Sequence, residues 1–225
     1  VGNCLRLCAC TNCLRRSIQR GVQGRPKIVC AAAIEGGTLA DAVIGVGKAA
    51  AAMHTTRLLL GERPAWLLLI GVCGAYPESG LEVGTLCLVG EDLLADEGVA
   101  LPGGGFLGLE AMGLGEVGPF LADPLRTQSA ARLLAAPVLR GATVSTCSGD
   151  DERSRALAAR SGAQVETMEG AAVLQVCRVF DVPVVQLRCV SNRTGDRVRA
   201  GWDLRGAIDR LHAAVRSLAR TQGWG

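Results

Sequence analysis

Along the chain, short continuous hydrophobic runs alternate with longer stretches whose apolar residues recur at helical spacing. Continuous apolar runs are typical of strands that are buried on both faces of a sheet. The predicted strands are 27–34, 38–46, 65–72, 82–96, 142–148 and 182–190. The predicted helices are 47–62, 125–136, 151–162, 168–180 and 202–220. This alternation predicts a single α/β domain of three layers, with helices flanking a mixed, mostly parallel, twisted sheet.

Two segments depart from the alternation. Residues 1–26 are polar, rich in Cys and Arg, and aperiodic, so we expect an atypical N-terminal segment followed by one domain over 27–225. Residues 98–125 are rich in Gly and Pro and predict a long loop, with a lid or a subunit contact as candidate roles.

The ten cysteines fall into two groups. One group consists of single cysteines in apolar segments, where a thiol packs as a small hydrophobic group. The other group, Cys4, Cys8, Cys10 and Cys13, has a spacing that could wrap zinc, but the sequence places no histidine nearby and no second Cys pair completes a zinc knuckle. We therefore expect no metal and no organic cofactor.

Composition narrows the choice of partners. The chain has 225 residues, 49% of them hydrophobic, which is enough for a substantial core. A net charge of +3 with scattered arginines does not favour nucleic acid, and the apolar runs are too short to span a bilayer. We expect a cytoplasmic protein that binds neither nucleic acid nor membrane.

The segment from Gly45 to Ala50 fits a dinucleotide fingerprint, because it follows a predicted strand and opens a helix. The expected acid, Glu62, lies after the helix rather than at the end of the next strand. A P-loop is excluded because Ala49 stands where a Ser or Thr would hold Mg²⁺. Close packing of a βα turn is the preferred interpretation. The two histidines, His54 and His212, are interpreted as packing or surface residues.

Polar residues gather in three segments that a buried sheet would place at a site. The first is the strand end and glycine turn IGVCGAYPESGLEVG, and the second is VETMEGAA. The third is RCVSN, at the tip of an apolar strand. Together with GVGKAAAA and SGDDER, these motifs occur in the order found in the nucleoside phosphorylase and nucleosidase superfamily, which the chain resembles from about residue 42 onward. Within it, the motifs are most similar to those of the futalosine hydrolases of menaquinone biosynthesis.

The resemblance implies a role for each matching position. Glu169 corresponds to the carboxylate that accepts hydrogen bonds from the ribose hydroxyls, and Met168 to the residue that packs on the sugar. Asn192 corresponds to the residue that contacts the departing base, with Ser191 orienting it. The other implied substrate-binding residues are Val72, Cys73, Gly74, Asp151, Glu152 and Arg188. For Glu169 alone, the competing interpretation is a carboxylate that caps its helix.

Three positions bear on the reaction. Phosphorylases of the superfamily hold phosphate with an Arg and a Ser, where this chain has Leu69 and Val72, so water is the expected acceptor. Adenine-releasing nucleosidases carry an aspartate at the position of Asn192. A carboxamide can donate N–H to O6 of a 6-oxopurine, which an ionised aspartate would repel. The expected product is therefore hypoxanthine.

The sequence offers two placements for the residue that would act as the general base. The resemblance implies a glutamate just after the first strand, and Glu35 fits if 27–34 is that strand. The preferred interpretation is different: 27–47 forms a hairpin that enters the glycine loop, Glu35 is a turn residue, and the base is missing.

The sequence thus predicts an N-ribosyl hydrolase that acts on a small nucleoside and assembles as a homodimer or larger homo-oligomer. The alternatives are an adenine-releasing methylthioadenosine/S-adenosylhomocysteine nucleosidase and a catalytically impaired protein that binds purine nucleosides. A dinucleotide-binding protein ranks last.

Overall fold

A computed structural model describes residues 24–196 and 201–224. The predictions for residues 1–23, including the cysteine cluster, lie outside the described residues. The strands are β1 Lys27–Cys30, β2 Ala42–Val43, β3 Leu67–Ala75, β4 Leu86–Leu94, β5 Gly98–Ala100, β6 Phe106–Gly108, β7 Phe120–Leu121, β8 Val138–Thr143, β9 Val165–Thr167 and β10 Val184–Arg193. The helices are α1 Ala33–Gly36, α2 Lys48–Glu62, α3 Pro124–Leu134, α4 Asp151–Ser161, α5 Gly170–Val179 and α6 Leu204–Gln222.

The main sheet is mixed, as predicted, and part of it closes on itself. β3 pairs with β10, β10 with β4, β4 with β8, β8 with β9, and β9 returns to β3. β1 and β2 extend the sheet in parallel from β3, and β7 pairs with β4. The strongly apolar sequence of β3 follows from this arrangement, since the strand is buried on both faces. β10 is buried up to Ser191, although it carries the polar residues Gln186 and Arg188 in its interior.

Helices cover both faces of the sheet. On one face, α3 and α6 pack over Ile28, Leu68 and Leu187. On the other face, α2 and α5 pack over Val29 and Leu69. α6 shows how sequence dictates this placement, because its buried residues recur every three or four positions and form one apolar stripe. The buried positions on α6 are Ala207, Ile208, Leu211, Ala214, Val215 and Leu218.

The predicted hairpin over 27–47 is wrong. β1 and β2 run parallel, in the register Val29 to Ala42, and the short helix α1 joins them. Parallel neighbours need a crossover connection instead of a tight turn. Glu35 therefore belongs to a crossover that begins at the carboxyl end of β1, and this is the alternative placement that the sequence left open.

Three smaller differences lie between residues 98 and 167. The strand predicted at 142–148 lies earlier, at Val138–Thr143, and the three-residue strand β9 was not predicted. The loop predicted at 98–125 contains the β5–β6 hairpin and β7. No helix among the described residues is long and apolar enough to cross a bilayer.

The single cysteines mostly pack as predicted. Five of the six within the described residues are buried, and Cys147 is exposed. Burial raises the pKa of Cys177 and of Cys189 to about 12, so both are protonated thiols at neutral pH.

Candidate active site

The candidate site lies where one edge of β3 changes its partner. Along this edge β3 pairs with β1 over Leu67–Ile70 and with β9 at Gly74 and Ala75. The N–H group of Val72 falls between the two pairings and donates to Oε1 of Glu35 at 2.9 Å. Ligand sites in α/β sheets often form at such switch points. A cavity of about 400 Å³ opens at this gap.

Most of the residues predicted for the site line this one cavity. These are Glu35, Val72, Cys73, Gly74, Met168, Glu169, Ser191 and Asn192. They come from segments up to 157 positions apart in the sequence, and the fold brings them together at the carboxyl ends of β1, β3 and β10.

Glu35 is held at the cavity by backbone donors. Its Oε2 accepts from the N–H of Ala32 at 3.0 Å, while Oε1 accepts from Val72. The carbonyl of Glu35 contacts Nε2 of His212 on α6 at 2.7 Å. A carbonyl only accepts, so Nε2 of His212 carries the proton. The side chain of Glu35 is 7% exposed, and each of its oxygens keeps one lone pair for a ligand.

Glu169 precedes α5 but does not cap it with its side chain. Its Oε1 instead accepts the N–H of Gly47 at 2.9 Å, in the glycine loop that resembles a dinucleotide fingerprint. That loop therefore holds a carboxylate of the protein itself. Burial raises the pKa of Glu169, and the charge of Glu35 adds to the effect, whereas Arg188 and the Gly47 N–H oppose it.

Arg188 lies beneath the cavity and does not line it. The residue is 1% exposed, its Nε donates to Oε1 of Gln186 at 2.9 Å, and its Nη1 contacts the carbonyl of Val72 at 3.5 Å. Its Nη2 has no hydrogen-bond partner among the described residues. A buried guanidinium at this place contributes positive charge under the two carboxylates.

Asn192 is oriented by its neighbour. The hydroxyl of Ser191 lies 2.9 Å from Oδ1 of Asn192 and 3.3 Å from the carbonyl of Cys73. One N–H of the Asn192 amide donates to the carbonyl of Arg193 at 3.0 Å. The second N–H of the amide is left for a ligand in the cavity.

Asp151 and Glu152 do not reach the cavity. Asp151 lies at the start of α4, where its Oδ1 accepts the N–H of Asp196 at 3.1 Å and its Oδ2 pairs with Arg155. Glu152 is exposed on the same helix. Asp151 thus holds the loop after β10, and neither of these two predicted substrate-binding residues lines the cavity.

A second buried cluster at the cavity wall is centred on Glu166, which flanks Met168 in the motif VETMEGAA but for which the sequence predicted no partners. Glu166 accepts from the hydroxyl of Tyr76 at 3.2 Å, from the hydroxyl of Ser148 at 2.6 Å and from the N–H of Ser148 at 2.9 Å. Both Glu166 and Ser148 line the cavity. The signal was present in the motifs GAYP, SGDDER and VETMEGAA, but which side chains would meet depends on the fold. This cluster holds the 147–149 loop against the site.

Gly71 provides a test of the close approach of Glu35 and Arg188, because it lies between these two side chains. A methyl group at Gly71 would clash with Nη1 of Arg188 and lie 2.8 Å from Oε1 of Glu35. We expect Gly71→Ala to lower kcat by roughly 10- to 100-fold, since small displacements of reacting groups have effects of that size. The matched control is Gly61→Ala in α2, where a methyl group meets no atom within 4 Å. Equal kcat values for the two variants would contradict this geometry.

Comparison with known proteins shows the family of this chain. The family model described as "Phosphorylase superfamily" matches residues 14–221. A futalosine hydrolase of Thermus thermophilus is 38% identical over 182 residues, which cover 80% of each chain. A futalosine hydrolase of Streptomyces coelicolor is 36% identical over 202 residues, or 87% of this chain and 83% of the relative.

Solved structures show the same fold. The native futalosine hydrolase of Helicobacter pylori superposes with a TM-score of 0.74 at 18% identity, over 90% of this chain and 99% of that one. A 5′-methylthioadenosine/S-adenosylhomocysteine nucleosidase of Colwellia psychrerythraea, in complex with adenine, gives 0.74 at 20% identity, over 90% and 96%. With a cavity at the strand switch point and relatives that match over most of their length, this chain belongs to the futalosine hydrolase family of the phosphorylase superfamily and is an N-ribosyl hydrolase.

Proposed function

We propose that this protein hydrolyses the N-glycosidic bond of a 6-oxopurine nucleoside of the futalosine type and releases hypoxanthine, as a step of menaquinone biosynthesis. The observation that carries the choice of base is the orientation of Asn192 by Ser191. With Oδ1 facing the serine hydroxyl, the carboxamide presents N–H to the cavity, and N–H is what O6 or N7 of a departing 6-oxopurine accepts.

Glu35 is the proposed general base. It is buried at the cavity wall and fixed by two backbone N–H groups, so that it can accept a proton from a water on the sugar side. Its presence in the cavity argues against the alternative of a protein that binds nucleosides without cleaving them. The N-glycosidic bond breaks with its electron pair going to the base, and water adds its oxygen to C1′ and gives one proton to Glu35. The departing base takes up one proton from solvent, and Glu35 afterwards returns its proton to solvent.

Glu169 is the proposed ribose ligand. The carboxylate has one oxygen engaged by Gly47, and the other can accept from the sugar hydroxyls. These hydrogen bonds strengthen as the sugar acquires oxocarbenium character in the transition state. Met168 lines the cavity next to it and is the proposed packing surface for the sugar.

Water is favoured over phosphate as the acceptor by the charges at the cavity. Leu69 is fully buried in the core, and Val72 is apolar. Among the described lining residues Arg193 is the one cation, and it pairs with Glu82 at 2.8 Å. A phosphate dianion would also meet the carboxylates of Glu35 and Glu169, which repel it.

The test of the assigned base is Asn192→Asp. The aspartate is ionised at neutral pH and repels O6, so we expect kcat/KM for futalosine to fall roughly 10- to 100-fold, the effect of losing a charge-sensitive hydrogen bond. The same variant should lose less with methylthioadenosine, whose amino group is a donor. Both substrates are followed by chromatography of the released base. An unchanged ratio between the two substrates would remove the role of Asn192 in choosing the base.

A further inference from the structure

A buried carboxylate outside the cavity remains without a role in this scheme. Asp92, on β4, is 0% exposed, and each of its oxygens accepts from a different side chain. Oδ1 accepts from the hydroxyl of Thr143 at 3.0 Å, and Oδ2 accepts from Nε2 of Gln186 at 3.1 Å. The two donors lie on β8 and β10, the two strands that flank β4 in the closed part of the sheet.

The first donor, Thr143, connects Asp92 to the segment that carries Glu169. Because the hydroxyl proton of Thr143 goes to Asp92, the oxygen of Thr143 accepts from its other neighbours. These are the N–H of Ala171 at 2.8 Å and the hydroxyl of Thr167 at 3.1 Å. Thr167 in turn accepts the N–H of Gly170 at 3.3 Å. The first two N–H groups of α5, directly after Glu169, therefore depend on a chain that ends at Asp92.

The second donor, Gln186, connects Asp92 to Arg188. The amide nitrogen of Gln186 donates to Asp92, so its oxygen is free to accept from Nε of Arg188 at 2.9 Å. A methyl group at Gly170 would clash with Oδ2 of Asp92 and with Oε1 of Gln186. Both chains thus pack directly under the start of α5, and each ends at one oxygen of Asp92.

We propose that Asp92 is a positioning residue, the common acceptor of two hydrogen-bond chains that fix the Glu169 segment and the Arg188 guanidinium for nucleoside cleavage. The proposal rests on the proposed function, since it assigns Asp92 to the same reaction. Asp92 contacts no substrate and acts through the residues above it.

The ionised form of Asp92 holds both donors with charge-assisted hydrogen bonds. A protonated carboxyl would face the amide of Gln186 with a donor, or would donate to Thr143 and turn its hydroxyl towards Thr167, and the hydrogen bonds that remain are weaker ones between neutral groups. Burial raises the pKa of Asp92 to about 6, although the hydrogen bonds from Gln186 and Thr143 and the charge of Arg188 lower it. Within the described part of the chain, Tyr76 also interacts with Asp92, and burial raises the pKa of Tyr76 well above neutrality, so it stays protonated.

Activity and stability should therefore respond to acid in opposite directions. As the pH falls through about 6, Asp92 takes up its proton and the two chains lose their charged acceptor, so the rate falls. The folded state binds this proton more tightly than the unfolded state does, so the contribution of Asp92 to stability rises over the same interval. A loss of rate through unfolding would instead lower both together.

The experiment exchanges the hydrogen-bond donor and the acceptor between positions 92 and 186. In Asp92→Asn one oxygen becomes an NH₂ group, and we expect kcat/KM for the nucleoside to fall roughly 10- to 100-fold. In the double variant Asp92→Asn with Gln186→Glu, the new asparagine donates to the new glutamate, which also accepts from Arg188. Both chains are then complete again with the same net charge, and we expect kcat/KM to recover to within about fivefold of the wild type. The control is Glu91→Gln, on the same strand, whose partner is Arg140 at the surface.

Each outcome decides the proposal. The proposal is overturned if Asp92→Asn keeps the wild-type kcat/KM, or if the double variant folds but does not recover its kcat/KM. If the single variant does not fold, the double variant decides. A wild-type rate that is constant from pH 7 to 5, with Tm measured at each pH, would overturn it irrespective of the variants. A wild-type protein that releases no base removes the proposed function and this inference with it, whereas an active wild type with an unaffected Asp92→Asn removes the inference alone.

Discussion

Replacement of Glu35 by alanine is expected to lower kcat by about 10²–10⁴-fold, the usual effect of removing a general base. KM should change much less, because the proposed general base acts on the attacking water and not on the nucleoside. The measurement is initial-rate kinetics of base release, and added formate should restore part of the activity by supplying a carboxylate in the vacated space.

The matched control for Glu35 is Glu152→Gln, since Glu152 is an exposed carboxylate outside the cavity. It should keep wild-type kcat and KM. Formate should have no effect on the control or on the wild type. If Glu35→Ala retained wild-type kcat, the assignment of the base would be wrong, and another group would have to activate the water.

Replacement of Glu169 by glutamine is expected to lower kcat/KM by roughly 10- to 100-fold, which corresponds to the loss of a hydrogen bond to a charged group. Glutamine offers one oxygen, and the N–H of Gly47 competes for it. The ribose hydroxyls then face an NH₂ group, which cannot accept from them.

A substrate that lacks the ribose 2′-hydroxyl provides the control for Glu169. The wild type should discriminate strongly against the deoxy substrate, and Glu169→Gln should discriminate little, because the partner of that hydroxyl is already lost. Undiminished discrimination in the variant would show that Glu169 does not hold the sugar.

The strands and helices that dominate the fold could be predicted because their signals are local. β3 is a long apolar run, β10 begins in a segment rich in valine, and α6 has a clear apolar stripe. β9 has three residues and is defined by its pairing with β3 and β8, which no local pattern contains. The parallel pairing of β1 with β2 is likewise non-local, and the turn residues between them suggested a hairpin instead.

The site could be predicted as a set of residues but not as a geometry. The motifs identified the three segments, and the fold brings most of the named side chains to one cavity. The contact between Gly47 and Glu169 joins positions 122 residues apart, so the capping interpretation of Glu169 could not be decided from sequence. Asp92 gave no signal either, since its importance lies in which donors surround it.

The most direct test of the account is the fate of the sugar when the protein cleaves futalosine in ¹⁸O-labelled water. We predict that hypoxanthine is released without phosphate, at a rate that added phosphate does not raise, and that mass spectrometry finds the label on C1′ of the ribose product. Base release that requires phosphate and yields an unlabelled sugar 1-phosphate would contradict the account.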